Sequence, residues 1–146
     1  MIEISPLRPD HRVRWEVLAR GYKDFYESPV SDDGYEQTWQ RLLRADDVYG
    51  SAARLDDGPV VGIAHYLFHA NPWSPNSCYL QDLFVDEAVR GRGVARALIE
   101  HVAQVARDRG AARLYWHTRQ DNERARLLYD KVANFRGFVT YDRRLD

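Results

Sequence analysis

A turn rich in glycine and arginine follows an apolar segment in the middle of the chain. The apolar segment is residues 79–85, and the turn is Arg90-Gly91-Arg92-Gly93. Glycine has no Cβ, so the backbone N–H groups of such a turn can approach an anion closely. The helix predicted directly after the turn adds unpaired N–H donors and the positive end of its dipole. Because Arg90, Arg92 and Arg96 add positive charge, the segment is predicted to hold a phosphate group.

This turn differs from two familiar phosphate-binding motifs. No Gly-Lys-Ser/Thr follows it, so it is not a Walker loop. A dinucleotide-binding fingerprint needs a third glycine or an alanine where this chain has Arg96. The alternative interpretation is a purely structural strand-to-helix turn with solvated arginines.

A second segment with candidate chemistry is Asn122 to Tyr129. These two residues are seven positions apart in the sequence, so a helix places them on one face with Ala125 between them. The alternative roles are a helix N-cap for Asn122 and a core aromatic for Tyr129.

Taken together, the two segments resemble motifs of the GNAT superfamily of N-acetyltransferases. Arg90-x-x-Gly93-x-Ala95 matches the pyrophosphate loop of that family, and Asn122-x-x-Ala125-x-x-Leu128-Tyr129 matches its N-x-x-A-x-x-x-Y element. The resemblance covers nearly the whole chain. Four further stretches, residues 23–28, 82–87, 115–118 and 127–132, look like a yeast subgroup described as acetylating histones, polyamines and D-amino acids.

The resemblance implies acetyl-CoA as the acetyl donor, attacked directly by an amine. In the family, a strand splayed from its neighbour binds the pantetheine arm, and a backbone N–H near Val85 would stabilise the thioester oxygen. Tyr129 would protonate the departing thiolate, which suits a phenol. The residues expected to bind the cofactor are Leu83, Phe84, Val85, Arg90, Gly91, Arg92, Gly93, Val94, Ala95, Arg96, Asn122, Ala125 and Tyr129.

The acceptor amine must lose a proton before it attacks, because an alkylammonium has a pKa of about 10. A carboxylate or a water chain must take that proton. Asp82 is the sequence candidate for a catalytic base or for holding the ammonium. Diamine acetyltransferases of the superfamily carry glutamate just before this aspartate, whereas this chain has Gln81, which weakens a polyamine assignment. The alternative for Asp82 is a sheet-edge carboxylate paired with an arginine.

Aromatic and acidic residues near the end of the first predicted helix suggest where the acceptor binds. Aromatic rings and carboxylates attract a cationic amine through cation–π contacts and charge. The alternative is that the aromatic residues are core and the acids are solvated in loops. The residues expected to bind the acceptor are Tyr22, Phe25, Tyr26, Glu27, Asp82 and His117.

Composition limits the remaining function classes. The chain has 146 residues, 45% of them hydrophobic, which excludes intrinsic disorder, and a formal net charge of −1, which argues against general nucleic-acid binding. Because Cys78 is its one cysteine, the chain can form neither an internal disulfide nor a cysteine-based zinc site. The histidines lack the spacing of metal ligands, so no metal is expected. No apolar run is long enough for a membrane helix and no signal peptide is visible, so the expected location is cytoplasmic, away from membranes.

The elements that must position these residues follow the order β-α-α-β-β-β-α-β-α-β. This order predicts an α/β (α+β) fold, with a mixed sheet flanked by helices in a single domain over residues 1–146. The resemblance implies a mostly antiparallel sheet, splayed at the cofactor strand. The predicted strands are 2–7, 48–55, 60–68, 79–85, 112–118 and 138–145, and the predicted helices are 11–26 with an Asp10 cap, one after Gly34, one from 94 closed by Gly110, and 122–132.

The leading hypothesis is therefore an acetyl-CoA-dependent N-acetyltransferase of a small primary amine, such as a polyamine or an amino acid. A protein or histone-tail lysine acetyltransferase is one alternative. A non-catalytic acyl-CoA-binding module and a nucleotide-binding structural protein are two others. The last predicted strand, residues 138–145, alternates apolar and polar residues, and the resembling subgroup forms dimers through late strands, so a homodimer is expected.

Overall fold

One mixed sheet organises the chain in a computed structural model that describes residues 1–146. The sheet has five strands in the order β1-β2-β3-β4-β5. The first three pairings are antiparallel and the last, β4 with β5, is parallel. The strands are β1 Ile2–Pro6, β2 Tyr49–Leu55, β3 Val60–Asn71, β4 Ser74–Val85 and β5 Arg113–Tyr115, and the helices are α1 Arg12–Phe25, α2 Asp32–Arg44, α3 Val94–Asp108 and α4 Glu123–Val132. The predicted mixed, mostly antiparallel sheet with flanking helices is confirmed.

Two apolar clusters cover the sheet, one on each face. The amphipathic stripe of α3, including Leu98 and Val102, packs with Leu80 of β4 in the first cluster. Helices α1 and α2 bring Trp15 and Trp39 into the second cluster. Gly62 of β3 allows the close approach of α3, because a Cβ there would lie 2.9 Å from a methyl of Val94. The helix faces predicted from the 3.6-residue period are therefore the buried ones.

Both helices of the second cluster begin differently from the prediction. A short 3-10 turn at Pro9–His11 precedes α1, so Asp10 lies inside that turn and does not cap the helix. Helix α2 begins at Asp32, before Gly34, because the Ser31 side chain accepts a hydrogen bond from the Gly34 N–H and caps the helix early.

Both β-hairpins also differ from the prediction. The β2–β3 turn is centred on Asp56 and Asp57, which both have positive φ, and Gly58 closes it with a 2.8 Å hydrogen bond to the carbonyl of Leu55. The prediction placed that turn one residue later. Residues 71–77, read as a loop, mostly extend β3 and β4, because these strands pair as far as Asn71 and Ser74.

The predicted last strand, residues 138–145, is wrong for the single chain. No residue after Ala133 takes part in a backbone hydrogen bond within the chain, and a strand exists only through such pairing. β5 is also shorter than the predicted 112–118, spanning three residues. The large apolar side chains of the terminal segment are exposed: Phe135, Phe138, Val139, Tyr141 and Leu145.

None of the helices is both long enough and apolar enough to cross a membrane.

A buried histidine next to α1 makes folding stability sensitive to pH. His11 is 4% exposed; its Nδ1 accepts a hydrogen bond from the Arg8 N–H, and its Nε2 has no partner. Burial, and after it the positive charge of Arg8, lowers the pKa of His11 from its ordinary value of 6.5. The folded state therefore binds a proton at His11 less readily than the unfolded state does. The contribution of the neutral His11 to folding stability is lost as the pH falls below 6.5.

We expect the urea midpoint to fall between about pH 7 and pH 5, where carboxylates titrate little. His11→Asn keeps an acceptor for the Arg8 N–H and cannot titrate, so its midpoint should fall less over the same range. Burial also lowers the pKa of His101, so this histidine accounts for part of the pH dependence that remains in His11→Asn. Parallel pH profiles for the two proteins would contradict this assignment.

Candidate active site

The turn before α3 presents a row of free backbone donors. Gly91 and Gly93 both have φ of 84°, and a Cβ at either position would meet nothing within 4 Å. No N–H from Gly91 to Arg96 makes a hydrogen bond within the chain. These donors sit at the positive end of a 15-residue helix, so the turn can bind an anion such as a phosphate.

Two arginines of this turn make weak ion pairs with exposed carboxylates. Arg90 lies 3.4 Å from Glu87, and Arg92 lies 3.6 Å from Asp56. Both carboxylates are well exposed, so these ion pairs stabilise little and can be exchanged for a ligand. Arg96 is exposed as well. The role of the arginines in phosphate binding remains a prediction that the geometry supports.

Strand β4 is splayed from β5, as the family resemblance implied. The two strands pair only at Ser77, Cys78 and Tyr79. Strand β4 then continues to Val85, paired with β3 alone. The predicted cofactor residues Leu83, Phe84 and Val85 therefore lie on a segment with one free edge, where an extended ligand can hydrogen-bond to backbone groups.

A β-bulge in β4 decides where Asp82 points. Asp82 pairs with His65 of β3, and Leu80 pairs with the next residue, Tyr66, which leaves Gln81 without a partner across the sheet. Because one extra residue shifts the alternation, Leu80 and Asp82 face opposite sides although they are two positions apart. Leu80 joins the core beneath α3, while the Asp82 side chain lies beside His65 on the α1 side.

Asp82 is held as a carboxylate. Its Oδ2 lies 2.9 Å from Nδ1 of His65, so the alternative pairing with an arginine does not occur. Burial alone would raise the pKa of Asp82, but the interaction with His65, the contact with Tyr22 and the charge of Lys23 together outweigh it and hold the pKa below its usual range. A carboxylate with a lowered pKa is well suited to hold an ammonium group and less suited to take its proton.

Aromatic side chains surround the carboxylate. The hydroxyl of Tyr22 on α1 donates to the carbonyl of Gln81 at 3.3 Å, and burial followed by the charge of Asp82 raises the pKa of Tyr22. Tyr79 stacks on Tyr115 with ring centroids 4.9 Å apart. The Tyr79 hydroxyl lies 3.4 Å from Nδ1 of the exposed His117. Tyr22 and His117 were predicted for the acceptor site, whereas Tyr79 and Tyr115 were not.

The end of α1 links this carboxylate to α4. The rings of Tyr22 and Tyr26 are 4.8 Å apart, and Tyr26 is close enough to Tyr129 for the two phenols to interact electrostatically. Phe25 packs edge-on against Tyr26 but is half exposed. Glu27 is exposed and contacts none of these side chains through a hydrogen bond. The structure therefore brings Tyr22 and Tyr26 into the site and leaves Phe25 and Glu27 at its rim.

Tyr129 has the protonation state that its predicted role requires. Its ring packs on Trp116 with centroids 5.3 Å apart. Burial, followed by the neighbouring Tyr26, raises the pKa of Tyr129 to about 12. The phenol therefore stays protonated at neutral pH and carries a proton that it can donate to a departing thiolate.

Asn122 caps α4 in the structure. Its Oδ1 accepts a hydrogen bond from the Ala125 N–H at 3.3 Å, and its Nδ2 donates to the Thr118 hydroxyl at 3.2 Å. The structural alternative considered for this residue is therefore present. Its predicted contact with the cofactor would use the second hydrogen of the same amide group.

Cys78 lies beneath the site and is inert. The thiol is fully buried, and burial raises its pKa to about 11. Nucleophilic cysteines need the thiolate form and access to a substrate. Cys78 is therefore a small core residue and not a nucleophile.

Sequence reasoning missed two residues that the structure connects to Asp82. Neither His65, in a predicted strand, nor Trp15, in the first predicted helix, was among the predicted site residues. The structure connects them, because the Trp15 indole N–H donates to Nε2 of His65 at 2.9 Å. The signal that reveals His65 is its cross-strand position opposite Asp82, which depends on the bulge at Gln81.

Comparisons with known proteins match this arrangement. The model of the acetyltransferase (GNAT) family matches residues 15–135 of the chain. The chain belongs to the GNAT acetyltransferase family. It is therefore an acyltransferase, and both the splayed strand and the glycine turn lie within the matched region.

Individual relatives act on different amines. The D-amino-acid N-acetyltransferase HPA3 of Saccharomyces cerevisiae is 33% identical over 97% of this chain and 90% of its own length. The thialysine N-epsilon-acetyltransferase of Caenorhabditis elegans is 26% identical over 89% of this chain and 81% of its own. The solved aminoglycoside acetyltransferase AAC(6')-Iy, bound to a bisubstrate analogue, superposes with a TM-score of 0.86 at 22% identity, covering 100% of this chain and 99% of its own, which shows a shared fold.

Proposed function

We propose that this protein transfers the acetyl group of acetyl-CoA to the primary amine of a small cationic acceptor, with an amino acid favoured over a polyamine. The observation that carries the proposal is an ionised Asp82, set among Tyr22 and Tyr79, beside the free edge of β4. A carboxylate among aromatic rings attracts an ammonium group. The yeast and nematode relatives named above, a D-amino-acid and a thialysine acetyltransferase, support a small amine acceptor.

The residues present fit the acetyl donor. The free N–H groups from Gly91 to Arg96 would hold its pyrophosphate, and the open edge of Leu83 to Val85 would bond its pantetheine arm. Arg90 and Arg92 would exchange their surface carboxylates for phosphate oxygens.

The proposed reaction requires little covalent chemistry from the protein. Asp82 orients the acceptor, whose ammonium releases its proton to water before the neutral amine attacks the thioester carbonyl. The new C–N bond forms as the C–S bond breaks, and Tyr129 donates its phenolic proton to the departing thiolate. The attacking nitrogen releases its surplus proton to solvent, which leaves the neutral amide, and the phenolate recovers a proton from solvent.

Thiol release from acetyl-CoA tests the function. We expect acceptor-dependent release with L- or D-amino acids carrying a free amine, and weaker release with polyamines. Aminoglycosides and a histone-tail peptide complete the panel. Release with the peptide alone would replace the proposal by protein lysine acetylation, and tight CoA binding without any release would indicate a non-catalytic binding module.

The Tyr129→Phe variant separates catalysis from binding in the same assay. It should lower kcat by about 10² to 10⁴, the usual contribution of a general acid, because the thiolate then leaves unprotonated. Its affinity for CoA should stay within about twofold of the parent, since the ring and its packing on Trp116 are retained. Unchanged turnover would refute the proton-donor role.

Gly93→Ala tests the phosphate turn, and Gly110→Ala is its matched control. Both glycines have positive φ and open space around the missing Cβ, and they lie at opposite ends of α3. Each substitution should cost about 1 kcal/mol of stability through backbone strain. Only Gly93→Ala should weaken CoA binding in calorimetry, by about tenfold, which corresponds to about 1.4 kcal/mol. Equal affinities for the two variants would place the pyrophosphate elsewhere.

The chain is also proposed to act as a homodimer. The support is the exposed apolar terminal segment, where Val139 and Tyr141 are 76% and 92% exposed and no backbone hydrogen bond is made. An alternating segment of this kind can pair with a strand of a second copy. The cytoplasmic location expected from the sequence remains a prediction.

Val139→Asp tests this dimer, with Thr140→Asp as a control on the opposite face of the same extended segment. We expect light scattering to give a dimer mass at micromolar concentration for the parent and for Thr140→Asp. The Val139→Asp protein should be monomeric, because a buried carboxylate would oppose association. A monomeric parent would contradict the proposal.

A further inference from the structure

Three side chains from three different elements form a hydrogen-bonded series that ends at the site. The indole N–H of Trp15 on α1 donates to Nε2 of His65 on β3 at 2.9 Å. Nδ1 of His65 lies 2.9 Å from Oδ2 of Asp82 on β4. Exposure increases along the series, since Trp15 is 1% exposed while the side chains of His65 and Asp82 are 12% and 22% exposed. The series therefore runs from the core to the open cleft.

The tryptophan fixes the protonation state of the histidine. An indole nitrogen can only donate a hydrogen bond, so at this distance Nε2 must offer a lone pair. An imidazolium carries hydrogen on both nitrogens and would point one of them at the indole N–H. His65 is therefore neutral, with its single proton on Nδ1, and it donates that proton to Asp82.

Two neighbours of His65 thus act in opposite directions. The negative charge of Asp82 favours an imidazolium, whereas the hydrogen bond from Trp15 favours the neutral ring. If His65 became charged, it would cancel most of the charge of Asp82. A neutral donor aims the carboxylate and leaves its charge and its second oxygen for another cation.

We infer that Trp15 and His65 are positioning residues that keep His65 neutral, so that Asp82 presents an undiminished negative charge to the ammonium group of the acceptor. This inference rests on the proposed function. It assigns the preference for a cationic acceptor to a contact made in the core, outside the cleft. Neither residue touches the reacting atoms.

Other charged groups around the series are few. From α1, Lys23 lowers the pKa of Asp82 through its charge and Tyr22 lies against the carboxylate. From β4, Tyr79 lies close to Asp82. The pKa of Tyr79 is raised first by burial, then by Tyr115 and then by the charge of Asp82. From α2, Tyr35 and Trp39 pack on Trp15 with no charge. Arg12 stacks over the Trp15 ring, and its charge is taken up by Glu16 and Glu36.

Nitrogen-15 NMR of the histidine rings tests the protonation state without any acceptor. The chain has five histidines, and His65→Asn identifies the signal of interest. We expect His65 to show a protonated Nδ1 and an unprotonated Nε2 at neutral pH. An imidazolium, or a ring protonated on Nε2, would overturn the inference.

Trp15→Phe removes the donor while retaining most of the ring, and Trp39→Phe is the matched control. Trp39 is equally buried, packs on Trp15 at 5.1 Å between ring centroids, and makes no side-chain hydrogen bond. The His65 titration should move to higher pH in Trp15→Phe and stay in place in Trp39→Phe. Equal movement in both variants would show a packing effect and overturn the inference.

Kinetics then link the protonation state to the acceptor. At about pH 6, Trp15→Phe should raise KM for a cationic acceptor about tenfold over the parent, with kcat changed less than about twofold. At about pH 8.5 the two KM values should agree, because His65 is neutral in both proteins. A KM ratio that does not change with pH would contradict the inference.

His65→Asn provides the rescue. The amide nitrogen of asparagine can take the place of Nδ1, donate to Asp82, and never carry charge. Adding His65→Asn to Trp15→Phe should therefore abolish the rise in KM at low pH. If acceptors are acetylated but His65 lacks the expected protonation, the inference fails and the proposed function stands. If the protonation is as expected but no acceptor is acetylated, the proposed function fails.

Discussion

The site depends on how strand β4 is hydrogen-bonded on its two sides. β3 pairs with β4 along almost its whole length, whereas β5 pairs with only three of its residues. The first pairing anchors β4 in the core, and the end of the second opens a cleft between the strands. One wall of the cleft carries backbone N–H and C=O groups that have no hydrogen-bond partner. In a continuous sheet, a neighbouring strand would pair with these groups. The glycine turn and α3 follow the same strand along the chain, so one polypeptide segment supplies two walls of the candidate site.

The bulge at Gln81 adds the chemistry to this scaffold. A strand with regular alternation would put Asp82 on the same face as Cys78 and Leu80, in the apolar core beneath α3. A carboxylate buried there without partners would be strongly destabilising. The extra residue turns Asp82 toward α1, where His65 donates to it and the cleft leaves it partly open to water. The same irregularity therefore gives a buried charge a hydrogen-bond partner and leaves it accessible from the cleft.

Two groups in the site hold opposite protonation states at neutral pH because their surroundings differ. Tyr129 is buried among apolar and aromatic neighbours, which disfavours its charged form and keeps its proton. Asp82 is also largely buried, yet its contacts with His65, Tyr22 and Lys23 together outweigh the burial and keep its pKa low. A proton donor and an ammonium anchor can thus lie on neighbouring elements without neutralising each other. The uncharged aromatic side chains of Tyr22 and Tyr26 occupy the space between them.

Local sequence determined the features that need only neighbouring residues. The glycine turn, the apolar stripe of α3, the α4 segment from Asn122 to Tyr129 and the order of the elements up to α4 were all predictable, since periodicity and turn chemistry act over a few residues. The tertiary structure alone decided the rest. The bulge, the pairing of His65 with Asp82 and the contact with Trp15 join residues 17 and 50 positions apart, and a register is set by the packing of both sheet faces. The terminal segment shows the same limit, because its alternating pattern allows a strand but only a neighbouring chain edge can make one.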